Sequence, residues 1–351
     1  MILDTVDILI IGGGIAGLAT ASALAGTGKS IALLDREVVP GFYASGHNAG
    51  LARALTGRIE HSRLAVEGRG RLAELGLLAP TGGLLLAMDP ARLDALEAEA
   101  AELSVEVHRG EGSGEVGLNA AAHLHIPGDG VIDIHALLGA CARQAREAGV
   151  ALHYGSAVTA IHADEHGFTV ETESRAFRAT TLVNAAGAWA AEVGRMAGGL
   201  KVDLSPQRRH LAWSDHPCPV RPWAWWVDRP FYARAESGGT LLCPCDEDEV
   251  PLPAQGQQPE VDNETIASMQ TAVDELAPEV SSYAIVRAWA GLRTFSPDRR
   301  FVIGWDPVNP RLFWVAGLGG HGMTTGLAVG RLAAELITTG GAHELAPSRF
   351  A

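Results

Sequence analysis

Val6-Asp7-Ile8-Leu9-Ile10-Ile11-Gly12-Gly13-Gly14-Ile15-Ala16-Gly17 stands near the start of the chain. The continuous apolar run Val6–Ile11 suits a strand of a parallel sheet, buried on both faces. Gly12–Gly17 fits G-x-G-x-x-G, and residues 15–25 continue as a helix of small residues. A second apolar run, Ile31–Leu34, ends at Asp35. Strand, glycine turn, helix and strand make a βαβ unit. In that setting the glycines read as a pyrophosphate cradle. Gly12 permits the tight turn, Gly14 admits the backbone close to a phosphate, and Gly17 lets helix and strand touch. The first helical turn, with Ile15 and Ala16, offers free N–H groups and the positive dipole end. Asp35, with Arg36 beside it, stands where a ribose hydroxyl is bound. A βα turn without a ligand is the plain alternative.

At 351 residues the chain has room for about two domains. Glycine supplies 42 residues and proline only 18. Average glycine usage is about 7%, so the surplus belongs to specific backbone positions rather than to low complexity. Hydrophobic residues at 47% and charged residues at 19% exclude intrinsic disorder. The net charge of −14 argues against a nucleic-acid partner, whose phosphates need Lys and Arg. The four cysteines, Cys141, Cys218, Cys243 and Cys245, are too few and too scattered for a disulfide framework. Cys243 and Cys245 lack the two further clustered ligands a metal centre needs. The N-terminus carries Asp4 and Asp7 where a signal peptide has basic residues. No apolar run reaches the roughly 18 residues of a membrane span. The chain is therefore expected to be soluble and cytoplasmic, with room for peripheral contact at the inner membrane.

The pattern predicts helices over 53–78, 91–103, 134–148, 261–276 and 324–338. Strands are expected at 81–88, within 150–161 and 168–183, and at 312–315. Residues 200–245 read as β-rich and aromatic-rich, 246–258 as an acidic surface loop, and 286–303 as extended.

Two later segments bear on the same site. Thr181–Asn184 ends an apolar strand in a small-residue turn containing Ala186, Gly187 and Trp189. Near the C-terminus, Phe313-Trp314-Val315-Ala316 runs into Gly317-Leu318-Gly319-Gly320-His321-Gly322-Met323-Thr324 and a helix. Too little chain follows for a new domain, so this strand is expected to return to the first sheet. Its helix N-terminus would then face a developing negative charge. His321 either touches ligand there or shapes the loop.

In these motifs the chain resembles the FAD-dependent amino-acid oxidase and dehydrogenase family, which holds D-amino acid, glycine and sarcosine oxidases. The match also rests on Tyr43-Ala44-Ser45-Gly46-His47-Asn48-Ala49-Gly50 and Arg287-Ala288-Trp289-Ala290-Gly291-Leu292-Arg293. Pro206-Gln207-Arg208-Arg209 and Pro230-Phe231-Tyr232 are similar to bacterial D-arginine dehydrogenase and its D-amino acid dehydrogenase relatives.

That resemblance implies an α/β fold: a Rossmann-type FAD-binding domain with an inserted substrate domain of mainly antiparallel β-sheet and helices. The expected FAD-binding segments are 1–82, 131–200 and 292–351. The expected substrate segments are 83–130 and 201–291. The cofactor is non-covalent FAD, with no metal. Arg293 is implied as the clamp on a substrate carboxylate, Arg209 as a second arginine with Arg208 as its neighbour alternative, and Tyr232 as a wall on that side. Such a clamp suits a carboxylate because a guanidinium grips it bidentately. Residues 42–50 are expected along the flavin ring, with Tyr43 and Ser45 as hydrogen-bonding groups and Gly46, Asn48, Ala49 and Gly50 as cofactor contacts. Val158 is implied at the adenine. Gly319, Gly320, His321, Gly322, Met323 and Thr324 are implied at the flavin edge. His47 is a candidate base, a FAD contact or a structural residue.

The implied activity is oxidative deamination of a small α-amino acid, of D configuration by the resemblance, with a quinone or O2 as electron acceptor. The stretch 80–86 holds no acid, so basic side chains are not expected to be favoured. Trp223, Trp225 and Trp226 suggest either an apolar lining or a packed strand. Two alternatives stand beside this reading. Gly46-His47-Asn48 also resembles the turn of L-2-hydroxyglutarate dehydrogenases, which points to a 2-hydroxy acid substrate. The chain also suits a FAD-binding subunit of a hetero-oligomeric amino-acid dehydrogenase.

Overall fold

A computed structural model describes residues 2–115 and 117–351. In its first eight-stranded sheet, Ile2–Ile11 runs parallel to Ile31–Leu34 on one side and to Arg175–Asn184 on the other. Ala151–His153 continues in parallel beyond Ile31–Leu34. The far end of Arg175–Asn184 takes Leu312–Ala316 in parallel, with Leu182 opposite Leu312. Its near end takes the antiparallel hairpin Val158–Asp164 and Gly167–Thr172. The C-terminal strand thus returns to the first sheet, and the motif-bearing turns after Ile11, Leu34, Asn184 and Ala316 share the carboxyl edge where open α/β sheets bind ligands.

The apolar runs are continuous because this sheet is covered on both faces. Ile8, Ile10 and Leu33 point into one core cluster, and Leu9, Ile11 and Leu34 into the other. Each fully buried aliphatic side chain contributes about 1.5–3 kcal/mol relative to exposure. Helices Ile15–Leu24 and Gly322–Thr339 lie over the first of these clusters. They cross so closely that a Cβ on Gly330 would stand 2.5 Å from the Ala19 main chain. This crossing accounts for part of the glycine surplus and brings both helix N-termini to the same edge.

The second eight-stranded sheet runs Arg287–Phe295, Ser205–Ser214, Gly239–Cys243, Phe231–Glu236, Trp223–Trp226, Gly83–Ala87, Ala122–Ile126 and His108–Glu111. Its pairings are antiparallel except that of Trp223–Trp226 with Gly83–Ala87. Helix Asn263–Leu276 buries Met269, Val273 and Leu276 in the cluster that holds Trp226 and Phe231. Trp223 and Trp226 are wholly buried, whereas Trp225 is half-buried. The tryptophan run is thus mostly core, with Trp225 left toward a cavity. The fold is the α/β arrangement expected, a Rossmann-type sheet beside a mainly antiparallel one. The 291/292 boundary expected from sequence falls inside the strand Arg287–Phe295.

The helix expected over 53–78 begins only at Ile59 and ends at Glu74. Gly57 takes φ +83°, and Thr56 N donates to Ser62 Oγ, so residues 53–58 form a turn instead. The extended stretch expected at 286–303 breaks into Arg287–Phe295 and Val302–Trp305, with Arg299 in the left-handed region between them. The acidic loop 246–258 is a strap rather than a free surface loop. Gln255 donates to Arg36 O, Gly256 N to Glu37, and Gln258 to Phe42 O at 2.8 Å. Among the described residues no helix is long and apolar enough to cross a membrane.

Candidate active site

Two adjoining cavities of about 330 Å³ and 660 Å³ open along the carboxyl edge of the first sheet. Gly14, Ser45 and Gly187 line both, so they form one trough.

The smaller cavity is bordered by the glycine turn. Gly12 has φ +116°, and a Cβ there would stand 2.2 Å from Ala185 O. A Cβ on Gly17 would stand 1.8 Å from Gly12 O. Gly14 caps the first helix with extended backbone and no side-chain cap, while Ser45 Oγ accepts from Ile15 N at 3.0 Å. Ser45 therefore sits at the N-terminus of the first helix. Asp35 lines the cavity, but both its oxygens already accept main-chain N–H groups, from Gly13 and from Glu37. Burial raises its pKa, and a free lone pair on each oxygen is what remains for a ribose. Val158, Ala186, Gly187 and Trp189 line the same cavity, and the Arg36 guanidinium lies 3.9 Å from the Trp189 ring centroid.

Tyr43 belongs to this end, which corrects its expected place as a hydrogen-bonding group along the flavin ring. Its hydroxyl donates to Glu37 Oε1 at 2.7 Å, its ring packs tilted against Trp189 with centroids 4.5 Å apart, and it does not line the larger cavity. Gly46 is also displaced from its expected role. It lines neither cavity of the trough, and a Cβ there would meet Gly41 O at 2.5 Å, so glycine serves packing. Asn48 lines the trough, but its amide holds the turn together, donating to Ser45 O and accepting from Gly50 N at 2.8 Å each. Ile15, Ala16, Ala49 and Gly50 line the larger cavity. His47 lines it too, with Nδ1 2.9 Å from Phe42 O.

The larger cavity receives the second helix N-terminus. Gly319, Gly320, His321, Gly322, Met323 and Thr324 all line it. His321 caps the helix Gly322–Thr339. Burial, then the nearby guanidiniums of Arg53, Arg293 and Arg209 with the His61 ring beside them, push its pKa well down, so its imidazole is neutral at ordinary pH.

Opposite stand the arginines. In the register of the second sheet Gln207 faces Arg293 and Arg209 faces Gly291. Strand alternation sends Arg209 into the cavity and Arg208 away, toward Asp262 and Glu260 O. Tyr232 is buried beside them, its ring stacked 4.6 Å from Trp225. The expected clamp pair and its aromatic wall are therefore together.

Among the cavity residues not singled out from sequence are Glu247, Arg299, Arg53 and His61. Glu247, in the strap, accepts from Arg209 at 3.3 Å, Arg293 at 2.8 Å and Arg299 at 2.7 Å. Burial pushes the Glu247 carboxyl up, but Arg293 and Arg299 more than offset this and hold it below the usual glutamate range. Arg53 is the third of them, freed for the cavity by the turn at 53–58. His61 is the fourth; its Nε2 accepts from Phe301 N, and burial lowers its pKa to about 4. A carboxylate between arginines is visible in sequence only as an acidic run after Cys245, which reads equally as a solvated loop. Among the described residues no three His, Cys, Asp or Glu side chains cluster as a metal site.

The trough fits a dinucleotide carrying a ring system. At one end stands a glycine turn that a Cβ would fill, and at the other a chamber under a second helix N-terminus. Comparison with known proteins agrees. The profile of the family described as DAO, FAD dependent oxidoreductase, matches residues 7–336. Human mitochondrial dimethylglycine dehydrogenase is 29% identical over 99% of this chain and 44% of its own length. The chain thus spans less than half of the dimethylglycine dehydrogenases it matches. Among solved structures, L-proline dehydrogenase from P. horikoshii superimposes with a TM-score of 0.88 at 22% identity, covering 99% of this chain and 98% of that one. Glycine oxidase from Geobacillus kaustophilus superimposes with a TM-score of 0.83 at 23% identity, again over 99% and 98%.

Proposed function

The chain belongs to the DAO family of FAD-dependent oxidoreductases, and from that premise we propose that it oxidises the C–N bond of a small α-amino acid. The observation that carries this reading is the carboxylate already seated between Arg209 and Arg293. Two guanidiniums that hold a glutamate side chain hold a substrate carboxylate by the same hydrogen bonds. Gly12, Gly14 and Ser45 would hold the phosphates, with Gly17 packing the helix onto that turn, Arg36, Val158 and Trp189 would border the adenine, and the 319–324 loop would face the ring. Bound FAD supplies the oxidant, a two-electron acceptor for hydride from the carbon that bears nitrogen.

The chain's own residues then orient and shield. Arg293, with Arg209, fixes the substrate by its carboxylate, which sets the position of the reacting C–H. Tyr232 and Trp225 wall the chamber. His321, held neutral by burial, adds no positive charge that would oppose loss of hydride from the neutral amine. The amine reacts as the free base, because an ammonium has no lone pair to support hydride loss. The resulting imine hydrolyses to a 2-oxo acid and ammonia. The D enantiomer, and a quinone or O2 as terminal acceptor, complete the reading.

Anaerobic mixing of FAD-loaded protein with D- and L-amino acids, N-methyl amino acids and 2-hydroxy acids tests it, following flavin absorbance. Bleaching by an amino acid is expected. Bleaching by 2-hydroxy acids alone would overturn the reading.

A further inference from the structure

The chain carries a net charge of −14, yet its larger cavity has the opposite character. Arginine outnumbers carboxylate there seven to two, the carboxylates being Asp228 and Glu247. One α-carboxylate on Arg293 and Arg209 does not account for that excess. Nor do the cofactor phosphates, which belong to the Gly12 turn at the other end of the trough.

Arg53 is a cation the proposed reaction leaves unused. Its Nε donates to Leu55 O at 2.8 Å and its Nη2 to Thr56 O at 3.2 Å. No hydrogen bond is made by its Nη1 among the described residues, and no carboxylate lies within ion-pair distance. Two carboxylates act on it through space without pairing with it. Asp129 is held by Arg69 at 2.9 Å, and Glu99 accepts from Gly57 N at 3.1 Å. The Arg53 guanidinium lies 4.5 Å from the Trp225 ring centroid, Trp225 stacks on Tyr232, and Tyr232 stands beside Arg209. The wall of the chamber is thus a stack with a cation at each end. A desolvated guanidinium without a counter-ion is costly, and an anionic ligand offsets that cost. Arg58 and Arg92 also line the cavity without an ion pair among the described residues, and they extend the positive field that draws anions inward.

We propose that the substrate carries a second carboxylate, seated on Arg53 while Arg293 and Arg209 hold the first. The substrate class is a dicarboxylic α-amino acid or an amino acid with an acidic N-substituent. This rests on the amino-acid reading for the first carboxylate and goes beyond it in naming the second. Arg53 would act as a specificity residue: it does not touch the reacting carbon.

The test is binding, read without turnover. Glutarate, succinate and butyrate are titrated into the FAD-loaded protein, and Kd is read from the perturbation of the flavin spectrum. Glutarate or succinate is expected to bind at least about ten-fold tighter than butyrate, with an advantage that shrinks as salt rises. Arg53→Gln should remove most of that advantage while changing the butyrate Kd less than about two-fold. If Arg53→Gln does not load FAD, Arg53→Lys serves in its place and should keep part of the advantage, because lysine is a point charge without the fork. Equal Kd values for the three acids in the unaltered protein would overturn the proposal. So would an Arg53 variant that weakens all three alike. A dicarboxylate preference in a protein whose flavin no amino acid bleaches would sink the amino-acid reading and leave the Arg53 seat standing. Bleaching by amino acids without a dicarboxylate preference would do the reverse.

Discussion

The two ends of the trough are built from different material. Around Gly12 the ligand-facing surface is main chain: a left-handed glycine, a helix N-terminus and the carbonyl of Ala185 packed against them. Around Arg293 it is side chain: three guanidiniums on one glutamate, a stacked Trp225 and Tyr232, and a neutral imidazole. Main-chain geometry tolerates no Cβ where the backbone approaches, so substitution there acts through sterics. A charged cluster rearranges, so substitution there acts through electrostatics and is graded. The difference lies in what each end can absorb.

The sharpest break of that contrast is Gly12→Ala. The added Cβ meets a carbonyl oxygen at 2.2 Å, and φ +116° is strained for any L residue. Loss of FAD binding or of soluble protein is expected, measured as the ratio of flavin to protein absorbance after purification. Gly187→Ala is the control on the same wall. Its φ is +55°, but nothing lies within 4 Å of the new Cβ. Only the left-handed cost of roughly 1–2 kcal/mol applies, so most of the flavin should stay bound. If both variants lose FAD equally, close backbone approach is not what the Gly12 turn requires.

At the other end, Arg293→Ala should leave FAD loading intact. Truncating one partner of a buried, hydrogen-bonded charge pair costs about 2–5 kcal/mol. A fall in kcat/KM of about 30-fold to more than 1000-fold is expected, measured with the amino acid that bleaches the flavin. Near-native turnover would remove Arg293 from the clamp. The two ends would then no longer divide into cofactor and substrate work.

The same contrast explains what could be read in the sequence. The nucleotide end is local: Gly12, Gly14 and Gly17 lie within one turn, and Asp35 follows in the same βαβ unit. Periodicity and spacing were enough to find it. The chamber is assembled from distant strands. Arg209 and Arg293 were reached only through a family resemblance, and strand alternation in the sheet decides Arg209 over Arg208. Arg53 was hidden inside a pattern that reads as helix, because Gly57 and the Thr56–Ser62 contact break that helix through backbone choices the hydrophobic period does not report. Tyr43 is the opposite case. Its neighbours Ala44, Ser45 and His47 do reach the larger cavity, but its own side chain turns to Glu37 and Trp189.

Glu247 gives the finest test, because it belongs to both ends. The strap that begins at Asp246 places its carboxylate on the clamp, and ten residues on it ties Gly256 and Gln255 to Glu37 and Arg36 at the nucleotide end. A substrate carboxylate competes with Glu247 for the same donors, so substrate binding and the strap are coupled. Glu247→Gln keeps the shape and removes the charge. Because the Glu247 side chain is 37% exposed, its ion pairs are partly screened and worth about 0.2–1 kcal/mol each. KM is expected to fall about two- to five-fold, with little change in kcat. The pH dependence has a fixed sign. The carboxyl titrates below the usual glutamate range, so the plug is ionised at neutral pH and weakens only as pH falls through that lowered value. The KM gap between Glu247→Gln and the unaltered chain should therefore stay constant from neutral pH down to the ordinary glutamate range and close only below it. A KM that rises in Glu247→Gln would show that Glu247 supports the substrate rather than competing with it.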